Sequence, residues 1–203
     1  MVETYQRRSA LAHFGLNALA SQNKADAGIT LGEIAHRTII NIRGNAGDLA
    51  FTSAVRNATG LDLPFIANTV STGNDTRILW LGPDEWWVVA SDARREELIE
   101  RLRGAFAGQH TAVIDVSESR TVITIAGPAA RDVLARGISL DLHPRAFGPG
   151  QCAQTGMAKA NIVLHQTDNA PSYDIYILKS FADYLWRWIG LVAEDFGLAI
   201  KAD

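Results

Sequence analysis

Residues 111–131 read TAVIDVSESRTVITIAGPAAR. Two strand-like runs, 113–116 and 121–126, meet at the polar break Ser117-Glu118-Ser119-Arg120, and Gly127-Pro128 marks the start of a helix. The stretch is a seam, because the chain beyond it repeats the chain before it. TVITIAG at 121–127 matches TIINIRG at 38–44, SLDLHP at 139–144 echoes GLDLP at 60–64, and DIYI at 174–177 stands opposite EWWV at 85–88.

Working backwards from the seam, the pattern predicts a strand over 38–43, a helix over 46–59 that stops at Gly60, and strands over 65–70, 77–81 and 85–90. A helix over 93–107 comes next, with Asp92 as its cap. Working forwards, it predicts a strand over 121–126, a helix over 128–136, a glycine-rich connection over 148–156, strands over 161–165 and 173–178, and a helix over 180–196 capped by Ser180. A strand, helix, strand, strand, helix, strand order occurring twice is the ferredoxin-like βαββαβ plan duplicated. The fold class expected is therefore α+β, with two halves, 29–112 and 113–203, packed about a pseudo-twofold axis in a single domain. Residues 1–28 read as an N-terminal arm.

Composition narrows the function classes. The chain of 203 residues is 47% hydrophobic, enough for a sizeable core, and its formal net charge of −3 comes without a run of basic residues. Neither nucleic acid nor an anionic membrane is expected as a partner. No run reaches the roughly 18 apolar residues of a membrane span, and the start of the chain lacks the apolar centre of a signal peptide. With Cys152 as its single cysteine, the chain reads as cytoplasmic.

Five histidines, at 13, 36, 110, 143 and 165, lack metal-ligand spacing, so no metal is expected. Cys152, His165 and Asp174 are the residue types of a nucleophilic triad, a set that a chain of this length offers by chance. No glycine loop of the dinucleotide or P-loop type is present. Adjacent Trp86 and Trp87 point to opposite faces of their strand, so one of them is expected at an interface unless the sheet is covered on both sides. Trp186 falls off the expected core face of the last helix (Phe181, Leu185, Trp188, Ile189, Val192 and Phe196) and is expected to contact another chain. Asp115 and Arg120 form a possible site cluster, because polar residues gather where the two strands of the seam meet. In the competing reading Asp115 and Arg120 pair across the break.

LGPDEWWVV at 81–89, VIDVSESRTVITIAGPAARDVLARG at 113–137, LDLHPRAFGPGQCAQT at 140–155 and SYDIYILKSFADYLWRWI at 172–189 together resemble the gamma subunit of heterotetrameric sarcosine oxidase. That subunit is similar in fold to the folate-binding part of the glycine-cleavage T-protein. The resemblance implies membership of a complex that oxidises sarcosine to glycine with oxygen, giving hydrogen peroxide and, with tetrahydrofolate, methylenetetrahydrofolate. It implies that FAD, FMN, NAD and folate belong to the larger subunits, the expected partners, with no cofactor in this chain and a non-catalytic, assembly-forming role. A stand-alone folate-binding or one-carbon-transfer protein of the T-protein class is the alternative, which implies Asp115, Arg120 and Asp174 around a pterin-sized cleft, Arg120 for a glutamyl tail and the acids for a pterin edge. Against it, the T-protein glutamate that helps hold the pterin is matched by Ala170, and its paired-aspartate turn keeps at best one acid, near Asp75.

Overall fold

Alternation along each strand sends successive side chains to opposite faces, and both faces are apolar here. In the computed structural model, which describes residues 7–23 and 26–202, eleven strands form two sheets stacked face to face, with helices on the two outer faces. The first unit runs β2 (Arg37–Arg43), α2 (Leu49–Thr59), β3 (Val70–Thr72), β4 (Thr76–Gly82), β5 (Glu85–Ser91), α3 (Arg95–Ala105) and β6 (Ala112–Asp115). The second runs β7 (Arg120–Ala126), α4 (Ala130–Ala135), β8 (Cys152–Met157), β9 (Ala160–Asp168), β10 (Ser172–Leu178), α5 (Lys179–Ala193) and β11 (Leu198–Lys201). Ahead of both stand α1 (Leu16–Ala20) and β1 (Ile29–Ile34).

One sheet has the order β3-β4-β5-β2-β6, the ferredoxin-like arrangement with one added edge strand. The other has the order β11-β1-β7-β10-β9-β8. Here β1 takes the place beside β7 that β6 holds beside β2, and β11 is displaced outward to pair with β1 in parallel. The boundary expected at 112/113 therefore falls inside β6, which belongs to the first sheet, while β1 belongs to the second. The chain changes sheets between Asp115 and Arg120, through a 3₁₀ turn at Ser117–Ser119. Close backbone approach fixes β1 there: a Cβ on Gly127, at φ 119°, would lie 2.4 Å from the Gly28 carbonyl oxygen.

The three apolar layers arise from strand parity. Ile40, Ile42, Trp86 and Val88 pack under α2 and α3; Ile123, Ile125, Ile175 and Ile177 pack under α4 and α5. Ile39, Trp87, Val89, Val122 and Tyr176 fill the layer between the sheets. The sheet is thus covered on both sides, and Trp86 and Trp87, 0% and 3% exposed, are both core. Trp186 is also buried, 5% exposed, with the Phe14 ring 5.9 Å away. The core face of α5 is rotated from the expected one: Ala182, Trp186 and Ala193 point inward with Leu185 and Ile189, and Phe181 is exposed. The part of the arm at 7–23 lies across its own chain, with Leu11 fully buried; residues 1–6, 24 and 25 of the expected arm lie outside the described residues. None of the three tryptophans offers a free surface to a partner.

Other differences have local causes. The strand expected over 65–70 shrinks to Val70–Thr72, because Asn68 takes φ 62°, and Phe65 and Ile66 stay exposed. Asp92 does not cap α3; its carboxylate accepts from Arg7 Nη1 and Nη2 at 2.6 and 3.0 Å, and the helix begins after a 3₁₀ turn. Ser180 does not cap α5, whose first residue is Lys179.

Pairing also corrects the internal alignment. With TIINIRG laid on TVITIAG, Asn41 faces Trp87 while Thr124 faces Asp174, so Trp87, rather than Glu85, is the counterpart of Asp174. Trp87→Ala in the isolated chain is expected to cost about 3–5 kcal/mol, as for a large aromatic lost from a core, in a urea unfolding curve. A neutral result would return Trp87 to the surface.

Candidate functional site

The register of the second sheet lines up one residue from each of its six strands: Cys152, His165, Asp174, Thr124, Gly32 and Lys201 are successive cross-strand partners. Strand parity turns this row toward the first sheet. The counterpart row there is Val70, Leu79, Trp87, Asn41 and Ile114. Duplication has thus produced one mainly apolar row and one polar row on facing sheets.

A cleft of about 480 Å³ opens over the polar row, lined among others by Thr30, Gly32, Thr124 and Asp174 on one side and by Arg37 and Arg77 on the other. Asp174 is 8% exposed, and its nearest ion-pair partner, Arg77, donates over a long 3.5 Å. Burial raises the Asp174 carboxyl above its ordinary range, against the pull of Arg77, Arg37 and Lys201. His165 Nδ1 lies 4.0 Å from the same carboxylate. Burial, with Arg77 nearby, lowers that imidazole to about 4, so it is neutral at neutral pH.

The structure therefore brings Cys152, His165 and Asp174 onto three adjacent strands, a juxtaposition that residue types alone do not specify. The arrangement is not a working nucleophile. Cys152 donates its thiol hydrogen to the Trp80 carbonyl at 3.3 Å and burial pushes its pKa up to about 12, leaving essentially no thiolate.

Asp115 and Arg120 do not join Asp174. Asp115 accepts from Arg95 Nε and Nη2 at 2.8 and 2.7 Å, and from the Ser117 amide and hydroxyl at 3.0 and 2.6 Å. Burial alone would raise this carboxyl, but the Ser117 bonds and the Arg95 pair hold it below its ordinary range. Ser117 Oγ also accepts the Ile39 amide at 2.9 Å, tying the seam to β2. Arg120 neither pairs with Asp115 nor reaches the cleft; its guanidinium lies 4.6 Å from the centre of the Trp87 ring, beside a cavity of only 110 Å³. The pterin-cleft trio and the Asp115–Arg120 pair are both replaced by these partners.

The partner that sequence reasoning missed for Asp115 is Arg95, which also binds Glu118 at 2.6 Å. Glu118 further pairs with Arg7 and Lys179 at 2.8 and 3.2 Å, so the arm, α3, the seam and α5 share one ionic knot. A dinucleotide does not fit the β7–α4 turn: the Gly127 and Ala129 amides are spent on the Pro171 and Gly28 carbonyls. Among the described residues, no group of three or more His, Cys, Asp or Glu is placed to hold a metal ion. No described helix is long and apolar enough to cross a membrane.

Comparison with known proteins gives this geometry a lineage. The model of the sarcosine oxidase, gamma subunit family matches residues 43–194. The sarcosine oxidase gamma subunit of Corynebacterium sp. (strain U-96) is 32% identical over 98% of this chain and 96% of its own length. The chain belongs to the sarcosine oxidase gamma subunit family. The gamma subunit of Arthrobacter sp. is 35% identical over 92% of this chain and 89% of its own. Among solved structures, a chain of heterotetrameric sarcosine oxidase from Corynebacterium sp. U-96, in complex with pyrrole 2-carboxylate, superposes with a TM-score of 0.85 at 32% identity, covering 97% of this chain and 99% of that one. Glycine-cleavage aminomethyltransferase T from Bartonella henselae superposes with a TM-score of 0.64 at 16% identity over 86% of this chain and 48% of its own, a likeness of fold. The gamma-family fold is thus the duplicated ferredoxin-like, T-protein-like plan.

Two outcomes test the electrostatics. Asp115 and Glu118 have folded pKa values below their ordinary ones, so their contribution is present above about pH 4 and is lost as pH falls through the folded values. Arg95→Met should cost about 1–2 kcal/mol near pH 7 in urea unfolding, with the gap to wild type closing toward pH 2. Asp174 has the opposite sign: its raised folded pKa destabilises the fold as pH rises above the ordinary carboxylate range. Asp174→Asn should therefore melt at higher temperature than wild type at pH 7 and equally at pH 3.

Proposed function

We propose that the chain is a non-catalytic gamma subunit of a cytoplasmic heterotetrameric sarcosine oxidase, holding no cofactor itself and binding the larger subunits. The full-length likeness to a chain of the Corynebacterium complex supports the partnership. The non-catalytic reading rests on one observation, the state of the polar row: its thiol is protonated and bonded to Trp80, and its imidazole is neutral and buried. Oxidation of sarcosine to glycine, with oxygen giving hydrogen peroxide and tetrahydrofolate taking the one-carbon unit, is assigned to the larger subunits, together with FAD, FMN, NAD and folate.

With the tryptophans buried, the contact surface passes to side chains the fold leaves outside. Phe65 and Ile66 are 60% and 74% exposed, in a segment held on both sides of the molecule: Trp86 Nε1 bonds the Pro64 carbonyl at 2.9 Å and the Cys152 amide bonds the Asn68 carbonyl at 2.9 Å. A rigid, exposed apolar pair is the usual form of an interface anchor.

Co-expression with the larger subunits should yield a stable complex, and the purified chain alone should consume no oxygen with sarcosine. Sarcosine-dependent oxygen uptake by the isolated chain overturns the reading. Phe65→Ser with Ile66→Ser should weaken assembly at least tenfold, measured by co-purification at graded dilution, while shifting the melting temperature of the isolated chain by no more than about 2 °C.

A further inference from the structure

The two halves place the same kinds of group around two different contents. Arg37 and Arg120 are counterparts, each one residue before the matching threonines Thr38 and Thr121. Arg120 lies over the Trp87 ring of the first sheet. Arg37, reaching the other way, lines the cleft at Asp174, the counterpart of Trp87. Pairing also makes Arg77 the counterpart of Val163, which packs in the same middle layer as Trp87. One pseudo-symmetric place is therefore plugged by an indole under an arginine, leaving a cavity of 110 Å³. In the other, among the described residues no ring stacks under Arg37, though Tyr173 and a second arginine, Arg77, are in the lining, and the cleft measures about 480 Å³, within the range of small-ligand sites.

Charge sets the chemistry of what fits there. Arg37, Arg77 and Lys201 act on Asp174 as the only acid of the polar row. Glu33 borders the same cleft, but its carboxylate is on the opposite face of β1, accepting from the Thr121 hydroxyl at 2.6 Å and from Ser9. His165 is neutral. Among the described residues Arg37 and Lys201 enter no ion pair, so the cleft has two uncompensated positive charges. Gly32, in the middle of the row, lets Thr124 and Lys201 close in over β1: a Cβ there would lie 2.9 Å from Thr124 Oγ1 and 3.2 Å from Lys201 Cβ. A guanidinium can both stack on a flat group and fork onto a carboxylate.

We propose that the cleft between the sheets, framed by Arg37, Arg77, Asp174 and Lys201, is a binding site for a small flat carboxylate of about one ring's size. The ring takes the place that Trp87 fills on the other side, beneath Arg37. The carboxylate meets Arg77 and Lys201, and Asp174 opposes it by like charge.

The test is calorimetric titration of the full-length chain with benzoate at low ionic strength, with benzamide as the neutral isostere. Benzoate should bind one per chain with a dissociation constant below about a millimolar, and benzamide at least tenfold more weakly. Asp174→Asn, which removes the opposing charge, should tighten benzoate about tenfold; Arg77→Gln should weaken it about tenfold. Asp174→Trp should abolish binding by installing the missing indole, with the far-ultraviolet spectrum and cooperative melt retained to show that the fold persists. Absence of saturable benzoate binding at 10-fold above a millimolar, equal binding of benzamide, or an Asp174→Asn variant that binds no tighter than wild type each overturns the proposal.

Discussion

Between the two sheets the Trp87 and Tyr176 rings meet edge to face, with centres 5.9 Å apart, and Arg120 covers the indole. Two sheets stacked in this way need apolar side chains on both faces of nearly every central strand, since the outer faces are already committed to helices. That constraint explains the EWWVVA run of β5, which does not alternate with polar residues: Trp86 and Val88 serve the helix layer, Trp87 and Val89 the middle one. It also fixes register, because a slip by one residue would exchange the two layers. A side chain as large as tryptophan buries about 150–250 Å², so this contact contributes a large share of the middle layer's stabilisation.

Closure of the second sheet depends on β1, a strand from the far end of the chain. Its insertion between β7 and β11 makes the sheet a long-range assembly, joining residues about ninety positions apart at β7 and further at β11. Strand pairing over such separations carries a high loop-closure cost, which favours a folding order in which local hairpins form first and β1 locks the structure late. The ionic knot of Arg7, Arg95, Glu118 and Lys179 holds the neighbouring crossing from outside, linking elements of both halves where the backbone changes sheets. Its members are partly exposed, so it orients more than it stabilises.

Local pattern is what the sequence makes legible. The β7 and β10 strands, the β4–β5 hairpin and the longer helices show their period directly, and the repeat of TIINIRG in TVITIAG is enough to declare the duplication. The strands β1, β8 and β11 are not legible. ITLGEI and CAQTGM contain glycines and polar residues, and LAIK is four residues long; β1 and β11 are strands because partners far along the chain are waiting for them, and β8 because β9 folds back on it as a hairpin. The tryptophans mislead for the same reason: parity on one sheet implies exposure, and the second sheet that covers Trp87 is a tertiary fact. Of the site, Asp174 is visible as an acid in an apolar strand. Arg37, Arg77 and Lys201 are not, since only six-strand register and the stacking of the sheets bring them to it.

Duplication usually makes two equivalent places, and divergence decides what each becomes. Here the difference begins with Trp87 against Asp174 and spreads through their neighbours. Next to the indole stand Leu79 and Asn41; next to the acid stand His165 and Thr124. The polar row gains little stability for the fold, because a buried carboxylate whose pKa is raised is held against its own solvation preference. An apolar row of the kind kept in the first sheet would pack the same space without that cost. Retention of an open, positively charged cleft where the fold itself supplies a plug for the matching place is therefore an argument that the second row answers to a ligand and the first to packing.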